Sequence, residues 1–182
     1  MLKKISNAWA RVELAAAAIL AVGVMVLILL NVVTRTAGAP IYWVDEAAIY
    51  TMVWMTFLGA SAAIAMRQQV AITILTDVLP SSGQRVAAKL VDLAVFVFAV
   101  AMVWFCWRWF NPWALARNGF DVMAFQGSTF NFIYAEPTST LGLEKWIIWL
   151  VMPIFSGGVL LHATAHLLNF APPKTQGAEI AT

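Results

Sequence analysis

Charge is scarce in this chain. Asp, Glu, Lys and Arg make up 11% of its 182 residues, while 62% are hydrophobic, and the mean hydropathy is +0.82. A soluble domain is nearer a quarter charged. A soluble core of this size could not hide so much apolar surface, so the solvent for it must be lipid. Cysteine is nearly absent. The one thiol, Cys106, lies inside an apolar run, which excludes an intrachain disulfide and any Cys-x-x-Cys chemistry. Histidine occurs twice, as His162 and His166. The net charge of +2 is too small to imply nucleic acid. There is no Gly-rich phosphate loop, no His-Glu-x-x-His and no nucleophile elbow. Asp45-Glu46 is a pair of adjacent carboxylates, and neighbours on a helix do not share a face. No catalytic residue, metal site, cofactor or substrate-binding residue is expected, and the chain does not read as an enzyme.

What it does have is four long apolar runs, at about 12–33, 47–66, 90–110 and 146–170. Each is long enough to cross a hydrocarbon core of roughly 30 Å as a helix. Helices are the expected form, because lone strands would leave backbone groups unpaired in lipid. The first run carries Gly23 and Asn31. It is too long for a signal-peptide core, so it reads as a retained span. The expected fold is an all-α integral membrane protein, one four-helix domain over residues 1–170. Residues 171–182 read as a disordered tail. Residues 70–79 are too few to span and read as an interfacial segment between the second and third helices, ahead of the Pro80-Ser81-Ser82-Gly83 turn. The loop 111–145 holds Phe120, Phe125, Phe130, Phe132 and Tyr134, too aromatic for a plain solvated linker.

Orientation is read from Lys and Arg in the loops. Lys3, Lys4, Arg11, Arg67, Arg85, Lys89 and Lys174 fall on one side. Arg35, Arg108, Arg117 and Lys145 fall on the other. The richer side is expected to be cytoplasmic, with both termini inside and the long aromatic loop outside. Trp9, Trp43, Trp109, Trp113 and Trp146 stand near the run ends, where indoles prefer the head-group level.

Few polar residues lie at mid-depth. Thr56 and Ser61 can bond to their own helix backbone. A transport pathway needs polar groups or broken helices there, so the pattern reads as a scaffold. His162 and His166, one turn apart, could be weighed as metal or haem ligands. Two histidines on one face cannot clamp a haem from both sides, and Asp92 is the carboxylate considered at their depth. The expectation is that both reach the head groups or pack at the inner end of the fourth helix. Asn31 and Arg35 are also one turn apart, and the short turn after them lets Arg35 approach Glu46. Gly59 and Ala63 form a small-xxx-small pair that permits close helix approach, read as packing within the four-helix unit, and Gly157 and Gly158 in the fourth helix read as packing positions too.

The stretch 31–80 resembles the small membrane subunit, the DctQ-like subunit, of tripartite ATP-independent periplasmic (TRAP) transporters. The resemblance rests on Asn31-Val32-Val33-Thr34-Arg35, Pro40, Trp43-Val44-Asp45-Glu46, Trp54-Met55-Thr56-Phe57-Leu58-Gly59-Ala60 and Arg67, in that order. Leu141-Gly142-Leu143 before Trp146 is similar to the family's approach to its last helix. The family often has a histidine after the arginine, whereas this chain continues Gln68-Gln69-Val70. The resemblance implies a scaffold without catalytic function in the bacterial inner membrane. It would brace a large, elevator-type multi-span subunit and help dock a periplasmic substrate-binding protein, for ion-gradient-driven uptake of an organic acid. It implies an assembly interface at Asn31, Arg35, Trp43, Glu46, Gly59 and Arg67, and partners that are the large subunit, the binding protein and membrane lipids. Competing readings are a haem or redox membrane anchor and a small stand-alone homo-oligomeric transporter.

Overall fold

A computed structural model describes residues 1–67 and 80–168. The interfacial segment expected at 70–79 and the tail at 171–182 lie outside the described residues. Seven helices are described: α1 (Leu2–Thr36), α2 (Trp43–Ala65), α3 (Ser81–Phe110), α4 (Pro112–Arg117), α5 (Val122–Thr129), α6 (Lys145–Trp149) and α7 (Val151–Leu168). Four are long and apolar enough to cross a membrane: α1, α2, α3 with its extension, and α6–α7 taken together. This is the expected all-α, four-span architecture.

The helices outrun their apolar runs. α1 starts ten residues before the run at 12–33, and α3 starts nine before the run at 90–110. The fourth span is interrupted at Leu150. Pro153 has no N–H to offer the carbonyl of Trp149, which loosens one turn. Bonds from Leu150 N to Trp146 O (3.1 Å) and from Ile154 N to Leu150 O (3.3 Å) carry the path across.

α7 is the hub. Eight of its residues are buried, against four on α1 and four on α2, so its apolar face is the one enclosed on several sides. It packs on α3, α2 and α1, and α1 packs along α2. The buried residues of α1 are Ser6, Ala10, Glu13 and Ala17, a 4-3-4 spacing that makes one narrow seam. Phe155 and Val159 of α7 meet Ala99 and Val95 of α3 and Phe57 and Ile64 of α2. Phe57 and Phe155 stack edge-on at 5.1 Å. The outward faces of α1 and α3 stay apolar and exposed, with Val22, Val26 and Leu29 on one and Val97, Trp104, Phe105 and Trp107 on the other.

The loop after α3 is folded, as its aromatic content predicts. Asn111 takes a left-handed conformation (φ 40°) that ends α3, and its side chain caps α4. Asp121 caps α5 by accepting from Met123 N and Ala124 N. Phe125 is fully buried against Phe110, Ile133 and Tyr134. The Tyr134 hydroxyl donates to Phe110 O at 2.6 Å. Burial raises its pKa above the ordinary tyrosine value, so it remains a donor there.

Candidate functional site

The polar residues of the bundle gather at its two ends. At the loop end, Asn31 lies on the last turns of α1 and Asp45 on the first turn of α2. The helical spacing of 31 and 35 lets Arg35 Nε donate to Asn31 Oδ1 at 2.9 Å. Arg35 Nη2 donates to Asp45 Oδ2 at 2.5 Å, and the Asn31 amide donates to Asp45 Oδ1. The expected approach of Arg35 to Glu46 is therefore corrected: the partner is Asp45. Adjacent helical residues point about 100° apart, so only one of the two carboxylates can face α1.

Glu46 turns the other way. Its carboxylate accepts from the backbone N–H of Ser139 (2.8 Å), Thr140 (2.6 Å) and Leu141 (3.1 Å), from the Thr140 hydroxyl (2.6 Å) and from the Tyr50 hydroxyl (3.0 Å). A carboxylate cradled by consecutive amides is a strong, charge-assisted tie. The segment it grips is itself a tight turn. Thr138 N donates to Leu143 O at 2.7 Å, Lys145 N to Glu136 O at 2.8 Å, and Gly142 adopts φ 67°. Trp54 Nε1 adds a bond to Ile148 O at 2.9 Å. Trp43, half-exposed on the first turn of α2, faces outward.

At the opposite end, Arg67 comes just after the last turn of α2, with φ 53°. Its Nη2 donates to Asp92 Oδ2 of α3 at 2.7 Å, and its Nε lies 3.3 Å from His166 Nδ1 of α7. The other ring nitrogen, Nε2, lies 3.1 Å from Ile64 O. One arginine thus ties three spans. Gly59 sits against α1, where an added Cβ would meet the Ala17 Cβ at 3.9 Å, an ordinary contact.

One turn deeper is an assembly that sequence reasoning passes over. His162 Nε2 lies 3.0 Å from Glu13 Oε2, and Ser6 Oγ lies 2.8 Å from His162 Nδ1. Ser61 Oγ donates to Glu13 Oε1 at 2.8 Å. All four side chains are buried. Gly158 makes room for them, because a Cβ there would fall within 3.0 Å of the Ser61 hydroxyl and the Trp9 indole and closer still to Glu13. Of the two expected outcomes for His162, head-group contact or packing at the inner end, the structure shows packing: it is a fully enclosed link between α1 and α7. Glu13, not Asp92, is its carboxylate. The available signal was a charge inside an apolar run, which by itself marks a residue with a partner. Ser6, His162 and Glu13 connect in the order of a hydrolytic triad, but Ser6 is 3% exposed and sealed by packing, leaving no approach for a substrate. Among the described residues no group of three or more His, Cys, Asp and Glu side chains could hold a metal ion.

These contacts define a polytopic helical membrane protein whose polar side chains tie its spans to one another. The chain belongs to the DctQ family. The family model described as "Tripartite ATP-independent periplasmic transporters, DctQ component" matches residues 24–172. It is thus a small-permease component of a TRAP transporter, a multi-pass protein of the bacterial inner membrane. It is 23% identical over 128 residues to an isethionate TRAP transporter permease protein, DctMQ, of Oleidesulfovibrio alaskensis, covering 70% of this chain and 17% of that protein. It is 30% identical over 87 residues to a Haemophilus influenzae protein named for a TRAP transporter small permease, covering 47% of this chain and 54% of that one. The matched stretch thus spans about half of one relative and a sixth of the other.

Proposed function

We propose that this chain is the fixed scaffold of a TRAP-type secondary transporter. It braces a large multi-span subunit that carries an organic acid, a carboxylate, across the membrane on a gradient of sodium or another ion. The observation that carries the reading is where the polar groups go. Among the described residues, every buried side-chain nitrogen and oxygen has a hydrogen-bond partner. Those partners lie within the same chain, as with Glu13, Ser61, His162 and Asp92. A substrate route would instead need polar groups aimed into a cavity at mid-depth. A body stapled at both ends, with apolar outer faces on α1 and α3, suits a part that stays still while a neighbour moves.

In this reading both termini are cytoplasmic, from the Lys and Arg distribution. The loop end, with Asn31, Arg35, Trp43 and the Glu46-anchored loop, then faces the periplasm and helps receive a substrate-binding protein. Gly59, which packs α2 on α1, and Arg67, which ties three spans, hold the bundle in the form that the large subunit meets. Support comes from family membership and from the DctMQ relative, which carries its matching stretch within a far longer permease protein.

The experiment is a tagged purification in mild detergent from the native host, with mass spectrometry of the co-purifying proteins. A stoichiometric, much larger multi-span protein is the expected companion. Recovery of the chain alone or as a homo-oligomer would overturn the scaffold role. Crosslinks from residues 111–145 to a soluble partner are the expected sign of docking at the loop end.

A further inference from the structure

A cleft of about 290 Å³ opens at the loop end, where α3 leaves the bundle and α6 joins it. Trp109, Trp149, Phe130, Phe132, Asn131 and Glu136 line it. Asn131 is committed to the wall: its amide donates to Trp109 O at 2.6 Å and its carbonyl accepts from Ile133 N at 3.0 Å. The two tryptophans lie 5.7 Å apart, tilted by 54°, so they present ring surface at an angle to each other. Glu136 is the one charged residue of the lining, and Lys145 sits 3.6 Å from it.

Three features point to one occupant. Phe130 and Phe132 are 83% and 55% exposed, yet they line the same cleft as Trp109 and Trp149, which belong to the transmembrane helices. The cleft therefore stands at the level where aromatic side chains meet lipid head groups. Phe105 stands one helical turn before Trp109, and with Trp104 it is part of an exposed apolar face of α3 that can only be lipid- or protein-covered. Aromatic rings beside a carboxylate favour an organic ammonium group, which ring faces attract within about 6 Å. Lys145 next to Glu136 presents a plus–minus pair that matches the minus–plus sequence of a zwitterionic head group. The volume is at the small end for ligand pockets, roughly 300–1,000 Å³, which suits a head group and not a whole lipid.

We infer that this cleft binds the head group of an ammonium-bearing phospholipid, with the ammonium between Trp109, Trp149 and Glu136, the phosphate toward Lys145, and the acyl chains along the exposed face of α3.

The test uses the full chain in its native membrane complex, reconstituted in phosphatidylglycerol vesicles. Photoactivatable phosphatidylethanolamine and phosphatidylglycerol of equal acyl chains are the probes, and labelled peptides are mapped by mass spectrometry. Phosphatidylethanolamine is expected to label residues 105–149 about fivefold more than phosphatidylglycerol, the ratio that about 1 kcal/mol of combined attraction from the rings and Glu136 gives. Glu136→Gln, a change at an exposed position, is expected to lower the preference to about twofold, the share left to the rings, while leaving labelling elsewhere unchanged. Equal labelling by the two lipids, a preference unchanged by Glu136→Gln, or no label in these residues because a partner covers them would each overturn the inference. Displacement of the label by soluble phosphoethanolamine would reassign the cleft to a soluble ammonium compound and overturn the lipid as its occupant.

Discussion

His162 and Glu13 meet at 3.0 Å across 149 positions of sequence, and neither side chain is more than 1% exposed. Ser6 Oγ beside Nδ1 and Glu13 Oε2 beside Nε2 give each ring nitrogen a partner. Truncating one member leaves the other buried without compensation, which costs about 3–5 kcal/mol. Glu13→Ala and His162→Ala are each expected to lower unfolding free energy in detergent by roughly that amount. The double variant should lose much less than the sum. Additive losses would show that the two residues are not coupled.

Gly157 and Gly158 offer a matched comparison. A Cβ at Gly157 meets nothing within 4 Å, whereas one at Gly158 collides with the Ser61 hydroxyl at 2.8 Å and the Trp9 indole at 3.0 Å. Gly158→Ala is expected to destabilise by about 1–3 kcal/mol, as overpacking does. Gly157→Ala should be neutral or stabilising by about 0.5–1 kcal/mol, through helix propensity. Equal effects in a thermal-shift measurement would contradict the close approach of α7 to α1 and α2.

Glu46 holds the loop tip through Ser139, Thr140 and Leu141. Hydrogen bonds to a charged acceptor are worth roughly 1.5–3 kcal/mol. Glu46→Ala should therefore speed amide exchange at Thr140 and Leu141 by about tenfold or more, since about 1.4 kcal/mol is tenfold. The transmembrane helices should be unaffected. Unchanged exchange at the tip would mean that the turn bonds of 136–145 suffice alone.

The two arginine anchors should behave differently. The Arg35–Asp45 pair is largely exposed, 58% and 41%, so its loss should cost under about 1 kcal/mol. Asp92 is only 9% exposed, and Arg67→Ala strands it, at a cost of several kcal/mol. If Arg35 serves assembly, Arg35→Ala should reduce co-purification of the large subunit, and uptake, while leaving the chain's own melting temperature almost unchanged. A stability loss equal to that of Arg67→Ala would make Arg35 a structural residue instead.

The four spans were legible in the sequence, because the length and apolarity of a run are local properties that the bilayer reads directly. So was the Arg35–Asn31 contact, since residues four apart on one helix are neighbours before any folding. The aromatic content of 111–145 was enough to mark a folded loop. The fourth span was read as continuous, and the structure interrupts it at Leu150, within the turn that Pro153 loosens. Partner choice across helices was not legible, and the packing of the bundle settles it. Whether Arg35 meets Asp45 or Glu46 depends on the rotation of α2 about its axis. That rotation is set by what α2 buries against α1 and α7, and Glu46 is then aimed at a loop 93 residues later in the chain. The same holds for His162 and Glu13. In the chain they are one histidine near an apolar end and one carboxylate near an apolar start. They become a buried pair because the helices pack so that the first turns of α1 lie beside the last turns of α7, where lipid and water are both excluded and each polar atom must find its partner in the protein.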